Sequence, residues 1–237
     1  PISLLAKWMP SINTSSKTTV ALARKWSKAM SLSEATYRKN LSQLRKYLDV
    51  VEVRMSSGDW DNIKFETVPS KAAMIYRKAF EVHQPERYVQ YIKDVMSGEK
   101  KINSSTLFPY EIVHNIMGAN ASDCATLEAL WKSLPNYCES DKNALVVADV
   151  SGSMHGTPLE VAISLALYIA ERNTGAFHNT FITFSESPTL QIIAGNTLKE
   201  KVNNLSRADW DMSTDVSKVF DLILNSALSN KLPQSEL

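Results

Sequence analysis

One change of pattern limits what this chain can fold into. Up to about residue 140 its apolar residues recur at helical spacing, and no strand-like alternation is seen. At Ala144-Leu145-Val146-Val147-Ala148 a short continuous apolar run takes over, as expected of a parallel strand buried on both faces. A polar loop, Asp149 to Thr157, follows it, and Leu159 to Arg172 again has helical spacing. Strand, loop and helix in that order open an α/β fold. The chain is therefore expected to hold an α-helical region over residues 1–140 and an α/β region over residues 143–237.

The helical region reads as separate short helices. Thr18 to Met30, Glu34 to Tyr47, Val50 to Ser56, Ser70 to Val82, Glu86 to Met96, Pro109 to Met117 and Thr126 to Tyr137 each carry apolar residues three and four apart. Ser33 is placed to cap the second, Pro69 precedes the fourth, and Gly58, Gly98 and Gly118 stand where helices end. In the second region Thr180 to Phe184 reads as a strand and Thr189 to Ala194 as an edge strand. Leu198 to Leu205 and Val216 to Leu228 read as helices.

Charge is split along the chain. Residues 1–101 carry 18 Lys/Arg against 10 Asp/Glu, while residues 102–237 carry 8 against 15, so a total of +1 hides halves of +8 and −7. The cations cluster as Arg24, Lys25 and Lys28; Arg38, Lys39, Arg45 and Lys46; and Lys71, Arg77 and Lys78. Helical spacing can gather such groups on one face, which would attract phosphates in a salt-dependent way. Trp8, Trp26, Tyr37 and Tyr76 could stack on unpaired bases. The plainer alternative is a set of solvated helix surfaces over an aromatic core. The two cysteines, Cys124 and Cys138, cannot make a disulfide framework or a tetrahedral metal site, and read as two buried helical thiols of a reducing, cytoplasmic compartment. No signal segment or bilayer-length apolar run is visible, so no membrane partner is expected.

The chemistry concentrates in Asp149-Val150-Ser151-Gly152-Ser153, directly after the first buried strand. Ligands of open α/β sheets bind beyond the carboxyl ends of strands. One carboxylate and two hydroxyls at alternate positions are oxygen-only donors, suited to a hard divalent cation, Mg²⁺ or else Mn²⁺ or Ca²⁺. The competing account is a serine-rich turn in which Asp149 caps the helix starting near Pro158. A nucleophilic Ser153 is less consistent with the sequence, because no Gly-x-Ser-x-Gly elbow surrounds it. His155 falls on the rim of the loop, and His83, His114 and His178 have no metal-ligand spacing. With no Gly-rich phosphate loop and no second carboxylate cluster, the chain is expected to bind rather than catalyse.

The Asp149-x-Ser151-x-Ser153 pattern, extended by Met154, resembles the metal-ion-dependent adhesion site of von Willebrand factor type A domains. The resemblance implies a Rossmann-like α/β fold, here covering roughly its first half. It also implies a further metal ligand from a later loop, for which Thr214 in Trp210-Asp211-Met212-Ser213-Thr214-Asp215 is the matching position, without the usual preceding glycines. Asp209, Asp211 and Asp215 would then face the metal's water shell. The helical region before such a domain resembles the TROVE family, which includes the Ro autoantigen, and above all a TROVE-related family. The segments that carry this likeness are Leu4 to Ser16, Tyr37-Arg38-Lys39, Val68 to Ala72 and Tyr76 to Phe80. The family's helical-repeat ring implies RNA, structured or single-stranded, as a partner. The adhesion-site likeness implies a protein partner offering Asp or Glu to the metal. A metal-dependent protein-interaction module with no nucleic-acid role is the rival expectation.

Overall fold

A computed structural model describes residues 5–119, 124–138, 144–149, 152–174, 177–183, 188–206, 216–231 and 233. It divides into two compact units, residues 1–64 and 65–237.

The first unit holds α1 (Leu5–Trp8), α2 (Lys17–Ala29), α3 (Glu34–Tyr47) and α4 (Val51–Ser56). Ser16 and Ser33 cap α2 and α3, each side-chain oxygen accepting from the backbone N–H three residues on. The helices end in left-handed turns at Ser31, Asp49 and Gly58, where the N–H of that residue and of the one after it close on carbonyls of the last turn. Ala23 and Ser27 are the α2 residues facing the core, while Leu22, Trp26 and Met30 are exposed. Small residues on the inner face let α2 approach α3 closely. The core is a small cluster of Ala6, Ala23, Tyr37 and Leu41, flanked by Met9, Ile12, Leu32 and Leu48.

The second unit begins with a short 3-10 turn, Phe65–Thr67, then α5 (Ser70–His83), α6 (Pro85–Met96), α7 (Pro109–Met117) and α8 (Cys124–Lys132). Phe65, Phe80, Tyr88 and Tyr91 form an aromatic cluster with ring centroids 5.0–6.1 Å apart. Expected helix ends hold within a residue or two except at α8, which stops at Lys132 instead of running to Tyr137. Pro135 has no N–H to continue a helix. Its carbonyl accepts from the Tyr168 hydroxyl, whose oxygen in turn accepts from the Tyr137 N–H at 2.9 Å. Cys138 therefore lies outside any helix, and both cysteines are half-buried rather than buried.

The strands β1 (Val146–Ala148), β2 (Thr180–Thr183) and β3 (Leu190–Ile192) form one sheet in the order β1-β2-β3. β1 and β2 are parallel, with Val147 opposite Ile182; β2 and β3 are antiparallel, with Ile182 opposite Leu190. The crossover from β1 to β2 is α9 (Thr157–Arg172). α10 (Leu198–Ser206) and α11 (Val216–Ser229) follow. The architecture described is thus mostly helical with a small three-stranded mixed sheet. Its densest core lies between α7 and α9, where Ile112, Val113, Ile116, Ile163, Ala166 and Leu167 have no solvent exposure. Among the described residues no helix is long and apolar enough to cross a membrane.

Candidate metal loop and basic surface

Asp149 is the first residue beyond β1, at the carboxyl end of a strand that pairs in parallel with its neighbour. It is half-buried. The chain then reverses through a 3-10 turn at Gly152–Met154, where Ser153 is exposed, and His155 is exposed beside it. Gly156, at φ +90°, occupies the N-cap position of α9 and leads into Thr157 and Pro158. Asp149 therefore does not occupy the N-cap position of that helix. Ser151, Thr214, Asp209, Asp211 and Asp215 lie outside the described residues.

Among the described residues no three His, Cys, Asp or Glu side chains gather as a metal-binding set. The loop offers another donor chemistry, one carboxylate with hydroxyls. A carboxylate and a hydroxyl, at Asp149 and Ser153, are of the oxygen-donor type that a hard cation with retained waters takes.

Sequence spacing missed one contact near this loop. Glu160, in the first turn of α9, lies 2.8 Å through its Oε1 from Nδ1 of His114 on α7. The pairing joins residues 46 apart, and no local pattern reports it.

The ten expected phosphate-binding cations separate into different kinds. Lys25, Lys28, Arg38, Lys39 and Lys46 of α2 and α3 are exposed. Arg24 pairs with Glu34 at 3.1 Å, also in solvent. Arg45 does not belong to the phosphate-facing set. Its Nε, Nη1 and Nη2 donate to Ala6 O, Ser11 Oγ and Met9 O at 3.0, 2.6 and 2.7 Å, holding the amino-terminal segment on α3. In the second unit Lys71 pairs with Glu111 at 2.9 Å, and Lys78 is exposed. Arg77 is a second correction: it is buried on the core side of α5, with Nη1 donating to Met74 O, and cannot meet a phosphate in solvent.

The aromatics divide likewise. Trp8 is 76% exposed and Trp26 lies at the surface. Tyr37 is buried, its hydroxyl donating to Pro10 O at 2.8 Å, so it cannot stack on a base. Tyr76 is half-buried and packs edge-on to Phe80.

Residues 14–148 match a family described as Domain of unknown function (DUF2828), more than half of the chain. The chain belongs to the DUF2828 family. Its DUF2828 portion runs from two residues before the cap of α2 to the end of β1. Residues 143–237 match a second family, Domain of unknown function (DUF7788), which contains the Asp149 loop. Over its whole length the DUF2828 chain is similar to uncharacterized protein L728 of Acanthamoeba polyphaga mimivirus, at 34% identity over 253 residues. It covers 44% of that protein, and so spans less than half of the relative's length. No solved structure matches it.

Proposed function

We propose that this chain is a non-enzymatic binding protein that holds a divalent cation in the Asp149 loop and contacts RNA or a ribonucleoprotein through its basic helices. The observation that carries the metal reading is the place of Asp149. It follows a parallel strand directly, and the chain returns through α9 to the neighbouring strand. That is the place where open α/β sheets bind ligands. The likeness of Asp149-x-Ser151-x-Ser153 to the adhesion site of von Willebrand factor type A domains supports the same reading, with Thr214 as the further ligand. When bound, the cation supplies positive charge and an open coordination position that a carboxylate from a partner protein can fill. Asp149 holds the ion by charge, and the serine hydroxyls orient it.

The RNA reading rests on Lys25, Lys28, Arg38, Lys39 and Lys46, exposed on two neighbouring helices, with Trp26 at the surface of α2. The first unit as a whole carries 11 Lys/Arg against 5 Asp/Glu. The second reading, a metal-dependent protein-interaction module with no nucleic-acid role, is favoured by the loss of Arg45 and Arg77 from the phosphate-facing set.

Two measurements test these readings. Calorimetric titration with MgCl₂ should show binding by the native chain and none by Asp149→Ala or Ser151→Ala. Unchanged affinity in both variants would sink the metal site. Filter binding of single-stranded and structured RNA across a salt series should weaken steeply with salt, and further in Lys25→Glu/Lys28→Glu. RNA binding that is absent, or insensitive to salt, leaves the protein-interaction reading.

A further inference from the structure

We propose that α2 is a docking face for an acidic amphipathic helix of a partner protein, which lies along Leu22, Trp26 and Met30. The three residues are spaced four apart, so their side chains stack in one row on the helix surface. The row extends about 12 Å at the rise of an α-helix, and Met30, at the C-cap, ends it. All three are exposed, at 48%, 37% and 40%. The residues that α2 buries against its own core are Ala23 and Ser27. The small side chains thus face inward and the three largest apolar ones face out. A single apolar side chain at a surface is ordinary. A row at this spacing is what one helix presents when another lays its apolar face along it.

Charge selects the occupant. α2 carries Lys17, Arg24, Lys25 and Lys28 and no Asp or Glu. Lys25 is three residues from Leu22 and so adjoins it on the helix surface, and Lys28 follows Lys25 at the same spacing. Both are exposed. Arg24 already meets a carboxylate in solvent, that of Glu34 on α3. A partner that covers the row meets this positive border, which Asp or Glu on its polar face complements and Lys or Arg does not. Nucleic acid matches the row less well. Trp26 can stack on a base, but Leu22 and Met30 have no ring. Met30 is unbranched and flexible, and such side chains adapt readily to an apolar helix face. Docking here needs no metal, and it occupies Lys25, Trp26 and Lys28, which the RNA reading also uses.

Fluorescence anisotropy with two labelled synthetic helices tests this on the full chain. Each is about 15 residues long, enough to form a helix, with Leu at every fourth position and a polar face of Glu in one and of Lys in the other. The acidic helix should bind, more weakly as salt is raised, and the basic one should not. Trp26→Ala and Leu22→Ala should each weaken binding by roughly tenfold or more, as buried anchors of an interface do. Lys25→Glu/Lys28→Glu should reverse the preference between the two helices. Val82→Ala, at an exposed apolar residue of α5, should change nothing. The substituted residues of α2 are exposed, so thermal melting should stay near native in every variant. No binding of the acidic helix, equal binding of both helices, or native affinity in Trp26→Ala and Leu22→Ala overturns the proposal. Oligouridine or phosphatidylserine vesicles bound through Lys25 and Lys28, with the acidic helix unbound, also overturn it and assign the face to nucleic acid or to lipid. Magnesium titration is untouched by these outcomes, so the metal reading stands or falls separately.

Discussion

Asn173 ties the far end of α9 back to the chain entering β1: its Nδ2 donates to the Ala144 carbonyl at 2.7 Å. Asn173 is buried, while Ala144 is exposed. The bond closes the strand–helix unit on the side away from the Asp149 loop. Asn173→Ala should cost about 1 kcal/mol, the net contribution of one hydrogen bond whose acceptor water can reach. Urea unfolding should show a lower midpoint with an unchanged slope.

Arg45 performs the same service for the first unit, with three donors on three separate acceptors of the amino-terminal segment. Arg45→Ala should lower stability by about 2–3 kcal/mol. Arg45→Lys should recover little, because one ammonium cannot span three acceptors arranged for a planar fork. Urea denaturation followed by tryptophan fluorescence reads both. A lysine variant as stable as the native chain would show that charge rather than geometry matters here.

Arg77 should behave in the opposite way. It is buried, donates to Met74 O, and its Nε has no hydrogen-bond partner. Removing a buried charge that is poorly paired is often neutral or stabilising when a similar apolar shape replaces it. Arg77→Met is expected to match or exceed the native melting temperature and to leave RNA affinity unchanged. A marked loss of stability would show that the guanidinium is better satisfied than its contacts indicate.

Burial of Tyr88 gives a prediction in alkaline solution. Its hydroxyl, accepting from Thr126 Oγ1, is pushed up from an ordinary 10 to about 12, chiefly because burial disfavours the phenolate. Between these values the folded chain keeps a proton that the unfolded chain has released. The stabilisation is therefore complete below pH 10 and is lost as pH rises toward 12, by about 2–3 kcal/mol. Tyr91, raised by burial as well, acts with the same sign. Urea midpoints taken from pH 8 to 12 should fall, and fall less steeply in Tyr88→Phe.

Much of the fold is legible in the sequence because its signals are local. The Ser33 cap, the Pro109–Met117 helix and the left-handed Gly58 and Gly98 each depend on residues within one turn. The short β1 run, flanked by Asp149 and followed by a helical pattern, identifies a parallel pair in the same way. What the sequence could not settle depends on distant partners. Helical periodicity shows that α2 has an apolar stripe, but Ala23 and Ser27 face the core and Leu22, Trp26 and Met30 do not. Arg45 and Arg77 look like any surface arginine until the main-chain carbonyls around them are known. Glu160 and His114 belong to different regions of the sequence and meet only because α7 packs on α9. The four-residue α1 is too short to leave a periodic trace.

The brevity of β3 has a consequence for self-association. It is one of the two outer strands of the described sheet, only three residues long, and its Ile192 is 75% exposed. An apolar edge is a template on which another chain can add a strand. Three residues leave a foreign strand too few backbone pairs for lasting docking, so β3 can stay apolar at its rim without seeding aggregates. Lengthening the strand would remove that protection sooner than adding another exposed apolar side chain elsewhere.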